Sequence, residues 1–284
     1  MQALLSVATV CLCVVFVNNF TILNSFAQCY KNVKLKTSFI YLYVCNSQNT
    51  SMKNLIKTAN SSSPPIAEYD RVIYNPITDN VVVMGGAYVD LGLPSGLKWA
   101  KCNLGAARET DYGYYFQWGE AEQHNTGIPY DWTNYKHCNG SERTLTKYCT
   151  NSYYGTVDNK TTLDSEDDAV SQVMGDGWRM PTQTELQELL NYTDHGWVDN
   201  FNCSGVSGYK FTSRTDEDKY LFIPAAGYCV NGMVGRIGLY GFIWSSSLNS
   251  SRTNSAWYMY FVSGLCTVSY ISRSYGGSIR GVHE

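Results

Sequence analysis

Residues 177–192, GWRMPTQTELQELLNY, constrain the fold more tightly than any other stretch of this chain. Pro181 holds Met180 in extended backbone, so a strand or loop ends there. Thr182 followed three residues later by Glu185 forms a capping box, each side chain satisfying an otherwise orphaned backbone N–H. Leu186, Leu189 and Leu190 fall at i, i+3 and i+4 and make one apolar stripe, with Gln183, Gln187 and Glu188 turned to water. The pattern predicts a short helix over 182–192, ended by Asp194-His195-Gly196. Such a helix is marginal alone and must dock its stripe on something. Residues 87–284 are therefore read as one domain organised around that docking.

Composition narrows what the helix docks on. Only 16% of residues are charged, while Tyr numbers 23 and Gly 24, which disfavours a helical bundle and favours short strands joined by structured loops. The net charge of −3 and the lack of any basic run exclude a nucleic-acid footprint. Of the ten cysteines, Cys102, Cys138, Cys149, Cys203, Cys229 and Cys266 lie in the domain, irregularly spaced and without C-x-x-C. Zinc and thioredoxin-type chemistry are not supported, and free buried cysteines are favoured over bridges.

Ahead of the domain, an apolar run over residues 3–17 and the small residues of Ser25-Phe26-Ala27-Gln28 suggest an export signal or lipoprotein-like leader over 1–28. No Lys or Arg precedes the run, so a buried N-terminus is the alternative. Cys29 is placed for lipidation. The run is too short to span a membrane, so no span is expected beyond a leader or lipid anchor, and an exported protein, extracellular or on the outer cell surface, is the expectation. Residues 29–86 receive no function: a strand at 37–44, a Ser/Asn-rich linker at 46–65, and a hairpin or lead-in strand from 70–74 and 80–84 around Asn75-Pro76.

Within the domain, a turn at Pro94-Ser95-Gly96 separates two short strands, and 114–120 reads as an aromatic strand. Residues 121–162 lack any period, but their aromatics (Tyr130, Trp132, Tyr135, Tyr148, Tyr153, Tyr154) predict a structured loop. Asp164 is expected to cap a second helix over 164–174, with further acids in its first turn. Strands follow at 219–223, 242–244 and 256–262. The last alternates, with Trp257, Met259 and Phe261 on one face and Tyr258 and Tyr260 on the other. Ser263-Gly264 turns the chain back into 266–271.

Several of these segments resemble one family. Val89-Asp90-Leu91-Gly92-Leu93-Pro94-Ser95-Gly96-Leu97-Lys98-Trp99-Ala100 and Tyr112-Gly113-Tyr114-Tyr115-Phe116-Gln117-Trp118-Gly119-Glu120 carry the resemblance. So do Gly177-Trp178-Arg179-Met180-Pro181-Thr182, Leu221-Phe222-Ile223-Pro224-Ala225-Ala226-Gly227, Trp244-Ser245-Ser246-Ser247 and Tyr275-Gly276-Gly277-Ser278-Ile279-Arg280. Together they are similar to the Fibrobacter succinogenes major paralogous domain, found in exported and surface proteins of Bacteroidetes and related bacteria. The resemblance implies an α+β, C-type lectin-like domain: two short helices packed on twisted antiparallel strands with long structured loops. That branch of the fold also holds formylglycine-generating enzymes and the variable proteins of diversity-generating retroelements. Arg280-Gly281-Val282 stands where the family has Arg-Pro-Val, so the extreme terminus is expected to be altered or frayed.

Chemistry is sparse by comparison. Formylglycine-type catalysis needs cysteines near the C-terminal motif, and residues 275–282 contain none. The four histidines have no ligand spacing. Asp164, Asp167 and Asp168 are the metal candidates, for calcium, with helix capping the favoured alternative; no cofactor is otherwise expected. Trp178, Trp118, Trp244 and Trp257 read as core, Thr182 and Glu185 as the cap, and Arg179 as a fork holding a carboxylate or loop carbonyls. That leaves Asn249, Ser251, Arg252, Asn254, Tyr258, Tyr260, Tyr270, Arg273 and Tyr275, which alternate with apolar positions and are the residue types of antibody-like paratopes. In retroelement-diversified relatives the corresponding segment contacts ligand. The expected function is non-catalytic recognition of a glycan or protein at the cell surface. The alternatives are a divergent enzyme on the formylglycine-generating-enzyme-like fold and a structural component of a surface or fimbrial assembly.

Overall fold

The computed structural model describes residues 71–75, 80–84, 88–124, 128–175 and 177–284. The leader at 1–28, the strand at 37–44 and the linker at 46–65 lie outside the described residues. Strands β1 (Arg71–Asn75) and β2 (Asn80–Met84) pair antiparallel, Arg71 opposite Met84, from the two apolar runs flanking Asn75-Pro76. Strands β3 (Tyr88–Asp90) and β4 (Lys98–Ala100) follow, with a turn between them in which the Gly96 N–H donates to the Leu93 carbonyl at 2.9 Å. Gly96 has φ +74°, the left-handed value such a turn needs. The aromatic run 114–120 is not the strand its composition predicts. Gly113 and Gly119 both take positive φ and swing the chain at each end, leaving one bridge, Phe116 with Gly277.

The second helix begins later than expected. It is α1 (Ala169–Met174), and its N-cap is Asp168, whose Oδ1 accepts the Ser171 N–H at 3.0 Å while Oδ2 accepts the Met180 N–H at 2.8 Å. Asp164, the expected cap, is drawn off by Lys147 and Lys160. After β5 (Trp178–Arg179) comes α2 (Gln183–Tyr192), with the complete capping box: Thr182 Oγ1 accepts the Glu185 N–H, and the Glu185 carboxylate accepts the Thr182 N–H at 2.7 Å. The Arg179 guanidinium grips that carboxylate with two bonds of 2.8 Å, so one fork fixes the cap and the strand before it. Asp194-His195-Gly196 does not break the chain. The helix passes directly into β6 (Thr193–Val198), because Thr193 Oγ1 donates to the Leu189 carbonyl at 2.6 Å and satisfies an end that would otherwise need another turn.

Strands β6, β7 (Gly208–Ser213) and β8 (Tyr220–Pro224) form an antiparallel meander. A small hairpin of β9 (Tyr228–Val230) and β10 (Met233–Gly235) leads to a second meander of β11 (Gly241–Leu248), β12 (Ser255–Val262) and β13 (Leu265–Ser272). The last strand, β14 (Val282–His283), lies between β4 and β5 in a four-stranded sheet, order β3-β4-β14-β5. Among the described residues the architecture is thus α+β and rich in antiparallel strands, with two short α-helices. Among the described residues no helix is long and apolar enough to cross a membrane.

The core explains where the expected surface residues went. On one side of β11 and β12, Ile243, Met259 and Phe261 pack with Leu186, Leu189 and Leu190 of α2. On the other side, Phe242, Trp244, Ala256 and Tyr258 pack with Phe116, Trp118, Tyr148 and two residues of α1, Ala169 and Val170. Tyr258 is therefore buried rather than outward-facing, a correction, because the face opposite α2 is covered by the long loop and α1. Asn249 and Arg273 are buried too and are corrected likewise. Trp178 and Trp257, expected in the core, are only half-buried. Nor does the chain fray at its end: Arg280 is fully buried, and Gly281 sits so close to α1 that a Cβ there would lie 2.9 Å from Val170.

Docking of the α2 stripe has a direct test. Leu189→Ala should destabilise the domain by about 2–5 kcal/mol in denaturant titration, the range for a buried Leu whose neighbours cannot fully collapse.

Candidate ligand site

The nine residues expected to share one surface divide between places. Tyr258 and Tyr260 point to the face of β12 away from α2, and there they join tyrosines from other segments. Tyr258 and Tyr260 ring centres are 6.4 Å apart, Tyr260 and Tyr240 5.3 Å, Tyr240 and Tyr228 6.1 Å, and Tyr228 stacks on Tyr275 at 6.0 Å. Tyr258, anchored against Phe242 at 4.4 Å, is the buried end of this ladder, and the other four are half-buried. Burial pushes the Tyr258 phenol up to about 12, and the Tyr240 hydroxyl raises Tyr260 by holding its proton. Each of the five rings offers an aromatic face and a hydroxyl.

Tyr228 and Tyr240 were not among the expected residues. They belong to no periodic strand, and what joins them is a close approach that side-chain pattern does not reveal. Gly227, at φ +71°, lets the β9–β10 hairpin fold back: a Cβ there would stand 2.1 Å from the Gly235 carbonyl oxygen. The signal that was available is the pair of glycines Gly227 and Gly238 bracketing the hairpin. Beside the ladder this hairpin exposes Met233, Val234, Ile237 and Leu239, Met233 at 69% and Leu239 at 58%. Arg236 stands 6.0 Å from the Tyr240 ring.

The remaining expected residues form a second group at the strand ends. Tyr270 lies opposite Trp257 in the β12–β13 ladder, edge-on at 5.4 Å, with Arg252 at 5.5 Å over the Tyr270 ring. Ser251 is exposed, and Asn254 donates to Glu142 at 2.9 Å, tying the strand to the long loop. Asn249 caps the turn before β12, its Oδ1 accepting the Ser251 and Arg252 N–H groups. Arg273 is a structural clamp. It donates to the carbonyls of Lys147, Tyr148 and Thr253, and lies 5.3 and 5.1 Å from the Trp118 and Tyr135 rings, which face the guanidinium where no hydrogen-bond partner reaches Nε.

The acidic residues also separate. Asp164, Glu166 and Asp167 bring one carboxylate oxygen each within 4.8 Å of one another, but Asp168 is committed to its cap and to Met180. At the centre of the triad is the Lys147 ammonium, 2.8 Å from Asp164, 2.7 Å from Glu166 and 2.6 Å from Asp167. Lys136 and Lys160 add ion pairs of 2.7 Å to Asp167 and 2.5 Å to Asp164. A divalent ion would have to displace that ammonium. Tyr148 donates to Asp167 at 2.7 Å, so the cluster holds the long loop against α1. Burial raises the Asp167 carboxyl, but Lys136, Lys147 and Tyr148 outweigh it and bring it down to about 2.

A family model described as a domain of unknown function (DUF8237) matches residues 204–282, a segment that contains all five ladder tyrosines. No curated protein and no solved structure matches the chain.

The Asp167 cluster predicts acid lability. Because its folded value lies below the ordinary 3.8, Asp167 contributes stability that is present above that pH and lost as pH falls through about 2, roughly 2 kcal/mol in all. Asp167→Asn should remove most of that pH dependence in urea titrations repeated from neutral to acid pH.

Proposed function

We propose that residues 87–284 form a C-type lectin-like, non-catalytic recognition domain of an exported surface protein, related to the Fibrobacter succinogenes major paralogous domain, that binds a glycan or protein over the tyrosine ladder. The observation that carries this reading is the ladder itself: Tyr228, Tyr240, Tyr260 and Tyr275 half-exposed on a buried Tyr258, contributed by four separate segments. Rigid rings offer contact area at little entropic cost, and their hydroxyls suit the polar groups of a sugar or a peptide backbone. Two short helices on antiparallel strands, with a long loop held by side-chain bonds, support the lectin-like fold. The exposed Met233, Val234, Ile237 and Leu239 beside the ladder favour a protein over a glycan, since a sugar gains little from covering aliphatic side chains.

The enzymatic alternative requires titratable groups free to act. The acidic cluster is neutralised by three lysines, and His195 packs on Tyr209 and Phe211 of the neighbouring strand β7. Glu120 and His124 are paired at 2.9 Å, yet the Glu120 carboxylate also holds the Lys136 N–H and the His124 ring also meets the Pro129 carbonyl. Burial pushes the Cys229 thiol up to about 11 and the Cys266 thiol up to about 12, away from the thiolate that chemistry would need. Calcium has no role in this reading, because Lys147 already supplies the positive charge at the triad.

Tyr240→Ala and Tyr260→Ala should each weaken binding about tenfold or more, the loss usual for truncating an aromatic anchor, with the thermal midpoint little changed. Glycan arrays and titrations with surface proteins of the same cell read this out. Binding undiminished in both variants would remove the ladder from the interface.

A further inference from the structure

We propose that the outer edge of β13 is a pairing surface through which two copies of this chain associate. β13 runs eight residues, Leu265–Ser272, at the margin of the β11-β12-β13 sheet, and among the described residues no strand pairs with its outer side. The opposite margin is covered, since β11 bridges to Thr162 and Ser278. The Arg273 N–H donates to the Asn254 carbonyl at 3.1 Å, and the register runs from Ser255 opposite Ser272 to Val262 opposite Leu265. In an antiparallel pair the bonded positions alternate. Ile271, Ser269 and Thr267 therefore turn their backbone groups inward to β12, and Tyr270, Val268 and Cys266 turn theirs outward.

Natural sheets protect such margins with Lys, Pro, bulges or short strands. β13, LCTVSYIS, has no charge, no proline and an unbroken register, with Leu265 47% and Tyr270 38% exposed. A neutral strand is compatible with itself, because a two-fold pairing sets the strand against its own sequence and would bring a net charge on it against its like. Centred on Val268, antiparallel pairing sets Val268 opposite Val268 of the second copy and Cys266 opposite Tyr270. Each outward N–H then meets a carbonyl, and two three-stranded sheets become one of six strands.

Proline separates this edge from the fold. Val268→Pro removes an N–H that points outward, so no hydrogen bond of the β12–β13 ladder is lost, and an edge strand tolerates the ring. Sedimentation of the full chain over a roughly hundredfold concentration range should show a monomer–dimer equilibrium, with Val268→Pro raising the dissociation constant at least ~10-fold and leaving the circular dichroism unchanged. An original chain that stays monomeric throughout, or a folded Val268→Pro chain that dimerises as before, overturns the proposal. Should the proline variant fail to fold, hydrogen exchange on the original chain decides. Protection of the Cys266, Val268 and Tyr270 amides that rises with concentration supports pairing at this edge, and fast exchange at every concentration overturns it.

Discussion

The rest of the structure depends on the burial of β11 and β12 on both faces. An antiparallel sheet commonly keeps one face for the core and one for water. Here the leucines of α2 cover Ile243, Met259 and Phe261, while α1 and the long loop cover Phe242, Trp244 and Tyr258. A sheet so enclosed needs its covering loop fixed in place, and the loop's backbone bonds to β11 lie at its end, where the Leu248 N–H donates to the Thr161 carbonyl at 2.8 Å. Side chains do that work: Trp118 Nε1 donates to the Ser245 carbonyl, Trp244 Nε1 to the Phe116 carbonyl, and Tyr135 Oη to the Trp118 carbonyl.

Two buried arginines complete the arrangement, and they do so without a carboxylate. No Asp or Glu occurs between Lys219 and Glu284; Arg273 donates to carbonyls and leaves Nε to the aromatic rings, and Arg280 donates to carbonyls and an amide oxygen. Arg280 donates to Asn103 Oδ1 and to the carbonyls of Ala100, Lys101 and Phe222, binding the opening of the domain to its end. Burial lowers its pKa only to about 10, so it stays charged at neutral pH. Such a cation opposes stability by its own desolvation and is tolerated because removing it would orphan several buried carbonyls at once. Its value lies in specifying one loop arrangement among many.

What could be read from the chain follows the reach of each interaction. The cap of α2, its leucine stripe, the Ser263-Gly264 turn and the hairpin around Asn75-Pro76 depend on neighbours within a few residues, and their positions were legible. The start of α1 was not: Asp164 and Asp168 are equivalent caps by local pattern, and only Lys147 and Lys160, distant in sequence, decide between them. The alternation of β12 was read correctly as two faces, but alternation says nothing about whether the second face is covered. Tyr258, Asn249 and Arg273 were lost from the expected surface for that reason. Tyr228 and Tyr240 went unseen because a glycine's close approach, rather than any period, brings them to the ladder.

A sheet covered over most of both faces can meet a partner where the cover stops or at its edge. One margin is where Tyr260 leaves the core and the β9–β10 hairpin brings Tyr228 and Tyr240 alongside it; the other is the backbone edge of β13. The two differ in kind. The first offers side chains, which on the proposed reading set which ligand fits and can change without disturbing the sheet. The second offers main-chain groups, indifferent to side-chain identity so long as nothing charged or bulky intervenes. On the two proposals, recognition and self-association use one sheet and vary independently, because ladder tyrosines such as Tyr260 lie on a face of β12 while the open bonds of β13 lie in the plane.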